Sequence, residues 1–158
     1  MQKLSHLKNR LILEENFDPF TIYHSLFTSM VKHLAIFEGD AIEKILLGEK
    51  TIDGRFSQKR LPPFGVVSKG DLVYLKRSGG EVKGQFLVDR VIFFDHPTKE
   101  EIADIRTKYK SKLSLSDSFW FSHPQINYLT LMFIELPQNL ITQPKFVKKD
   151  LRGWVVLK

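Results

Sequence analysis

The strongest local signal in the sequence is a pair of β-rich runs joined by a glycine turn. The segment LVYLKRSGGEVKGQFLVDRVIFFD covers residues 72–95, and Val, Leu, Tyr and Phe are abundant on both sides of SGG. Gly-Gly supplies the positive φ that a tight turn needs, so the pattern predicts an antiparallel hairpin. We therefore expect antiparallel β-structure to form a large part of the fold.

The other segments alternate less regularly between strand and helix patterns. Apolar runs predict strands at 31–39, 51–57, 126–136 and 153–158, whereas helical spacing and capping residues predict helices at 40–48 and 98–113 and a short helical turn at 116–121. A doubly wound parallel sheet would need regular strand–helix alternation, which is absent. The sequence therefore predicts an α+β fold with a compact barrel or a strongly bent sheet.

The first thirty residues have a different pattern from the rest. Leu4, Leu7 and Leu11 recur at helical spacing, and Asp18 followed by Pro19 is typical of a helix start. The sequence thus predicts an N-terminal helical extension over 1–30, separate from a main domain at 31–158. A protein-interaction module that forms a homodimer through these helices is one functional hypothesis.

Composition excludes several classes of protein and site. Of the 158 residues 42% are hydrophobic and 27% charged, which is ordinary for a globular protein. No apolar run reaches the roughly 20 residues of a membrane span, so we expect no membrane partner and a cytoplasmic location. The chain has no cysteine, and its five histidines lack ligand spacing, so we expect neither a metal nor another cofactor.

Positive charge is concentrated in the middle of the chain. The formal net charge is +6, and residues 55–90 carry eight basic and three acidic residues. Such a field attracts polyanions, although many basic proteins use their charge only for solubility. RNA or another nucleic acid is therefore a candidate partner.

Four charged residues lie within GEKTIDGRF, residues 48–56, and three of them, Lys50, Asp53 and Arg55, are candidates for a common site. Side chains alternate along a strand, so Thr51, Asp53 and Arg55 are expected on one face, with Lys50 where the preceding helix ends. One interpretation is an Asp53–Arg55 ion pair that seals the end of a barrel. The other is a cleft in which Lys50 and Arg55 contact phosphate or a base edge while Asp53 orients Arg55.

The motif resembles that of the ASCH (activating signal cointegrator homology) domain. Gly48, Lys50, Asp53 and Arg55 match its G-x-K-x-x-E-x-R pattern, with Asp53 in place of the glutamate. Similarity continues through PPFGVVSKGDLVYLKRSGGEVKGQFLVDRV, FWF, YLTLMFIEL and LRGWVVL, over roughly residues 31–158. The resemblance implies a small PUA-like β-barrel with flanking helices, and a cleft with the motif at its rim.

The resemblance also implies a function. ASCH domains are generally regarded as RNA or nucleic-acid binders, and that is the function we expect. The alternative is a hydrolase of a modified nucleoside, similar to an N4-acetylcytidine amidohydrolase, or a ribonuclease. Lys50 aligns with the lysine of that amidohydrolase, but Asp53 stands where its threonine would be, and its glutamate has no clear counterpart.

Further candidates for ligand contact lie outside the motif. Phe64, in the PPFG loop, and Trp120 are expected to be exposed and could stack on bases, although aromatic residues more often pack in the core. Lys59, Arg60 and Arg77 could form a strip that faces phosphates, or they could simply be solvated.

Overall fold

The computed structural model describes residues 30–123, 125–146 and 152–158. The predicted helices of residues 1–30, and the dimer expected from them, therefore lie outside the described residues, apart from Met30. The described elements are β1 (Lys32–Phe37), α1 (Ala41–Leu46), β2 (Ile52–Ser57), β3 (Leu72–Arg77), β4 (Val82–Asp95), α2 (Lys99–Leu113), α3 (Asp117–Ser122), β5 (Tyr128–Asn139) and β6 (Trp154–Leu157).

The six strands form one sheet in the order β2-β5-β4-β3-β1-β6. Four neighbouring pairs are antiparallel, and β1 with β3 is the parallel pair. The predicted hairpin is confirmed, since β3 and β4 pair from Leu72 opposite Leu87 and Gly79 adopts φ 67° in the turn. The sheet is curled into a half-barrel with three helices, which confirms the predicted α+β class.

β5 is buried on both faces because it separates two apolar cores. Met132 belongs to the core inside the curl, together with Val73, Leu75 and Phe86. Leu129 and Leu131 belong to a second core on the other face. This double burial explains why YLTLMFIEL is a nearly continuous apolar run rather than an alternating one.

Helix α2 covers the second core. Its Ile105, Tyr109 and Leu113 are buried there, and it begins with the predicted capping box between Thr98 and Glu101. Asp40 occupies the N-cap position of α1. The Asp40 side chain makes no capping hydrogen bond and instead lies 3.0 Å from Lys44 Nζ, one turn along the helix.

The long strands β4 and β5 are joined by an irregular ladder. Their register shifts between Gln85 and Leu87 and again between Val88 and Arg90. Such bulges increase local twist and bend, so they allow the sheet to curl. In the described part of the chain, no helix has the length and apolar character needed to span a membrane.

Candidate functional site

The charged motif follows α1 directly. Gly48 has φ 78°, a conformation that favours glycine, and the amides of Glu49 and Lys50 both donate to the Lys44 carbonyl. Strand β2 then begins at Ile52. Thr51 precedes the strand and is exposed, and its amide donates to the Lys112 carbonyl.

Lys50 is buried, although lysine side chains carry a charge in most proteins. The residue is 4% exposed, and Nζ donates a 2.6 Å hydrogen bond to the Leu113 carbonyl at the end of α2. Asp53 Oδ1 lies 3.7 Å from Nζ. Burial lowers the pKa of Lys50, the Asp53 carboxylate opposes this effect, and the Arg55 charge adds to it.

Arg55 is held by five groups. Nε donates to Asp53 Oδ2 at 2.8 Å, and Nη1 donates to the Ile36 carbonyl at 3.1 Å and more weakly to Gly153. The guanidinium carbon lies 4.5 Å from the ring centroid of Phe37 and 5.3 Å from that of Trp154. Nη2 is buried and has no hydrogen-bond partner among the described residues.

These contacts join distant parts of the sheet. Arg55 belongs to the edge strand β2, whereas Ile36 lies on β1 and Gly153 directly precedes β6, the opposite edge. The arginine therefore helps to close the curled sheet. This geometry supports the structural interpretation of the Asp53–Arg55 pair, and a ligand-binding role is compatible with it because Nη2 is not hydrogen-bonded within the described chain.

Two cavities meet at Arg55. A broad groove of about 1200 Å³ contains all three motif charges, Lys50, Asp53 and Arg55, and is also lined by α1 and α2. A smaller cavity of about 240 Å³ lies on the other side and is mostly apolar. We call it the aromatic cavity; its lining residues are Arg55, Phe56, Ser57, Leu61, Pro62, Pro63, Phe64, Tyr128, Thr130, Arg152, Gly153 and Trp154.

Phe64 lines the aromatic cavity. It was expected to be exposed, but it is buried. It is only 8% exposed because its ring packs edge-on against Phe93 and Tyr128, at 5.3 and 4.9 Å between centroids. The Arg60 guanidinium covers it at 5.0 Å. The cis peptide between Pro62 and Pro63 lies in the loop that carries Phe64.

The other residues that were predicted to contact a ligand do not lie together in one site. Arg60 is exposed and lies 3.6 Å from Asp95, and Lys59 lines a third cavity of about 380 Å³ beside the aromatic one. Arg77 contacts Glu43 and the carbonyl of Gly39, which lines the groove, but Arg77 itself lines neither cavity at Arg55. Trp120 is half-buried against Phe56, rather than exposed.

A buried hydrogen-bond network lies behind the aromatic cavity, and no local pattern in the sequence predicts it. Trp154 Nε1 donates to His33 Nδ1 at 3.2 Å, and His33 Nε2 lies 3.0 Å from Asp71 Oδ2. Indole nitrogen is only a donor, so His33 must accept at Nδ1 and carry its proton on Nε2. The network fixes the indole that forms one wall of the aromatic cavity. In the described residues no group of three His, Asp or Glu side chains could hold a metal ion.

Comparison with solved structures identifies the fold. The ASCH protein of Zymomonas mobilis and two of its single-residue variants superpose with TM-scores of 0.61, 0.62 and 0.63 at 12% identity. The matches cover 80% of this chain and 87–90% of the others. The chain has the ASCH-domain fold. No protein-family model and no curated protein matches the sequence.

Proposed function

We propose that this ASCH-fold protein binds nucleic acid, with RNA as the expected ligand and the aromatic cavity as the base-binding site. The observation that carries the proposal is Arg55, a fixed guanidinium between an apolar, ring-lined cavity and a polar groove. Planar bases stack on aromatic walls, and a guanidinium recognises phosphate or a base edge with its fork of donors.

The electrostatic surroundings favour an anionic ligand. Arg55 and Arg152 line the aromatic cavity, and no aspartate or glutamate of the described residues does so. Asp53 contacts Arg55 from the groove, where it orients the guanidinium. The net charge of +6 adds long-range attraction for polyanions.

The test is binding of fluorescent single-stranded RNA and DNA at several salt concentrations. We expect salt-dependent binding by the wild type, and at least tenfold weaker binding by Arg55→Gln because a desolvated contact is lost. Arg152→Ala, at the exposed rim, should weaken binding less and should lower the salt slope by about one.

The matched control is Lys69→Ala, which removes the same charge. Lys69 is 77% exposed and lies outside the aromatic cavity and the groove, so its loss should leave affinity within about twofold. Because Arg55 also closes the sheet, thermal unfolding must show that Arg55→Gln is folded. Absence of binding by the wild type at low salt would refute the proposal.

One observation favours a second candidate, a hydrolase of a modified nucleoside. Burial lowers the pKa of Lys50, which increases the fraction of neutral amine available as a general base in the groove. Asp53 and the Leu113 carbonyl already contact its Nζ. Turnover of N4-acetylcytidine by the wild type that is lost in Lys50→Met would support this candidate, whereas no turnover by the wild type would reject it.

A further inference from the structure

The third cavity adjoins the aromatic cavity. Phe56, Ser57 and Leu61 line both of them, so these residues form a ridge with a cavity on either side. The further lining of the third cavity includes Gln58, Lys59, Ser122, His123, Gln125 and Ile126, and we call it the histidine cavity. Two neighbouring cavities that share a wall are suited to neighbouring units of one ligand.

We propose that the histidine cavity binds the nucleotide next to the one in the aromatic cavity, so that the ligand is a single strand of at least two nucleotides. This inference rests on the proposed function and goes beyond it by defining the class of nucleic acid. A base in a duplex is paired and stacked, so it cannot enter either cavity.

The size of each cavity supports one unit per cavity. The aromatic cavity has about 240 Å³ and the histidine cavity about 380 Å³. Sites for drug-sized ligands usually have roughly 300–1,000 Å³, so the aromatic cavity suits a single ring system. A longer ligand can therefore extend across the ridge into the histidine cavity.

The ridge is rigid. The Phe56 ring packs edge-on against Phe119 and Trp120, with centroids 4.9 and 5.6 Å away. A ring that is already fixed loses little conformational entropy when a base packs against it. Phe56 can therefore separate two bases with little additional ordering cost.

The histidine cavity offers polar groups suited to a nucleotide. The His123 ring stacks on Phe119 at 4.1 Å, and Nδ1 lies 2.8 Å from the Phe119 carbonyl, which can only accept. In neutral His123 the proton is therefore on Nδ1, and Nε2, which makes no hydrogen bond to the described residues, is an acceptor. The amides of Gln58 and Gln125 add donors and acceptors for a base edge.

Lys59 supplies a positive charge in the histidine cavity. It is exposed, lines the histidine cavity, and makes no ion pair with any described residue. As in the aromatic cavity, no acidic residue of the described chain lines this cavity. Lys59 can therefore neutralise a phosphate of the bound strand.

Calorimetric titration with the four nucleoside 5′-monophosphates, RNA dinucleotides and an RNA duplex tests the inference. The wild type should bind the best dinucleotide at least about tenfold more tightly than the best monophosphate, since the second unit binds intramolecularly. Lys59→Ala/His123→Ala should lose this gain and bind monophosphates as the wild type does. Lys69→Ala should keep the gain.

The outcomes separate the inference from the function on which it rests. Equal wild-type affinity for monophosphates and dinucleotides, or a double variant that keeps the gain, would overturn the second subsite and leave the aromatic cavity as a single-base site. Duplex binding as tight as dinucleotide binding would overturn the single-strand specificity. No binding of any probe would overturn the proposed function itself.

Discussion

At the scale of residues, the central feature is a set of charges removed from water. Lys50 and Asp53 are buried, and Arg55 is largely covered by rings and carbonyls. Buried charges need partners, and here each charge has at least one. The i, i+2 spacing of Asp53 and Arg55 predicted their common face, and the 2.8 Å contact confirms it.

Because Lys50 is buried, the stability of the protein should depend on pH in the alkaline range. The pKa of Lys50 in the folded chain lies below the ordinary value of 10.5, chiefly through burial. Between those two values the unfolded chain holds a proton that the folded chain lacks, so the free energy of unfolding should rise with pH, by up to about 1.4 kcal/mol per unit. Lys50→Met should lack this rise.

Urea unfolding of both proteins from pH 7 to pH 10 measures the effect. Other titrating groups are common to the two chains, so the difference between the curves isolates Lys50. Curves that stay parallel over the whole range would show that burial does not perturb this lysine.

At the scale of elements, local pattern predicted most strands and helices but, apart from the β3–β4 hairpin, not which strands pair. The hairpin of β3 and β4 and the capping box of α2 are local, and both were predicted from short stretches. The parallel pairing of β1 with β3 depends on the whole sheet and leaves no mark in either strand. Strand β5 continues to Asn139, three residues beyond the predicted end at residue 136, because β4 is long enough to pair with these residues.

Gly54 lies where β2 approaches α2 closely, and glycine within a strand often marks such an approach. A Cβ atom there would lie 2.8 Å from Cε2 of Phe56 and 2.9 Å from Cδ2 of the buried Leu113. Gly54→Ala should therefore lower the free energy of unfolding by about 1–3 kcal/mol, as overpacking does. The measurement is chemical denaturation.

Gly153→Ala is the matched control. Among the described residues, a Cβ atom at Gly153 would meet only Arg55 Nη1, at 3.9 Å, so the stability of Gly153→Ala should stay within about 0.5 kcal/mol of the wild type. If both substitutions had equal effects, crowding at Gly54 would not be the cause.

At the scale of the whole molecule, the candidate site exists because the sheet curls. The aromatic cavity combines residues of 55–64, 128–130 and 152–154, which are far apart in sequence. The sequence predicted the motif, the basic middle segment and Phe64, since each is a local signal. Tyr128 and Trp154, which form two of its walls, could not be selected from among the other aromatics without the register of β5 and β6.

The same limit applies to the network behind the cavity. His33, Asp71 and Trp154 come from three separate segments, and nothing in the local sequence of any of them indicates the contact. Arg77 illustrates the reverse case. Its charge suggested a phosphate-facing strip with Lys59, yet Arg77 contacts Glu43 whereas Lys59 lines the histidine cavity.

The most direct test of the central claim is to identify the residues that RNA contacts. Single-stranded RNA that contains 4-thiouridine would be cross-linked to the wild type by near-ultraviolet light, and the modified peptides identified by mass spectrometry. We expect cross-links to the residues that line the aromatic and histidine cavities, which fall within 56–64, 122–123, 125–130 and 152–154. Cross-links confined to the β3–β4 turn, or to residues before β1, would contradict the account.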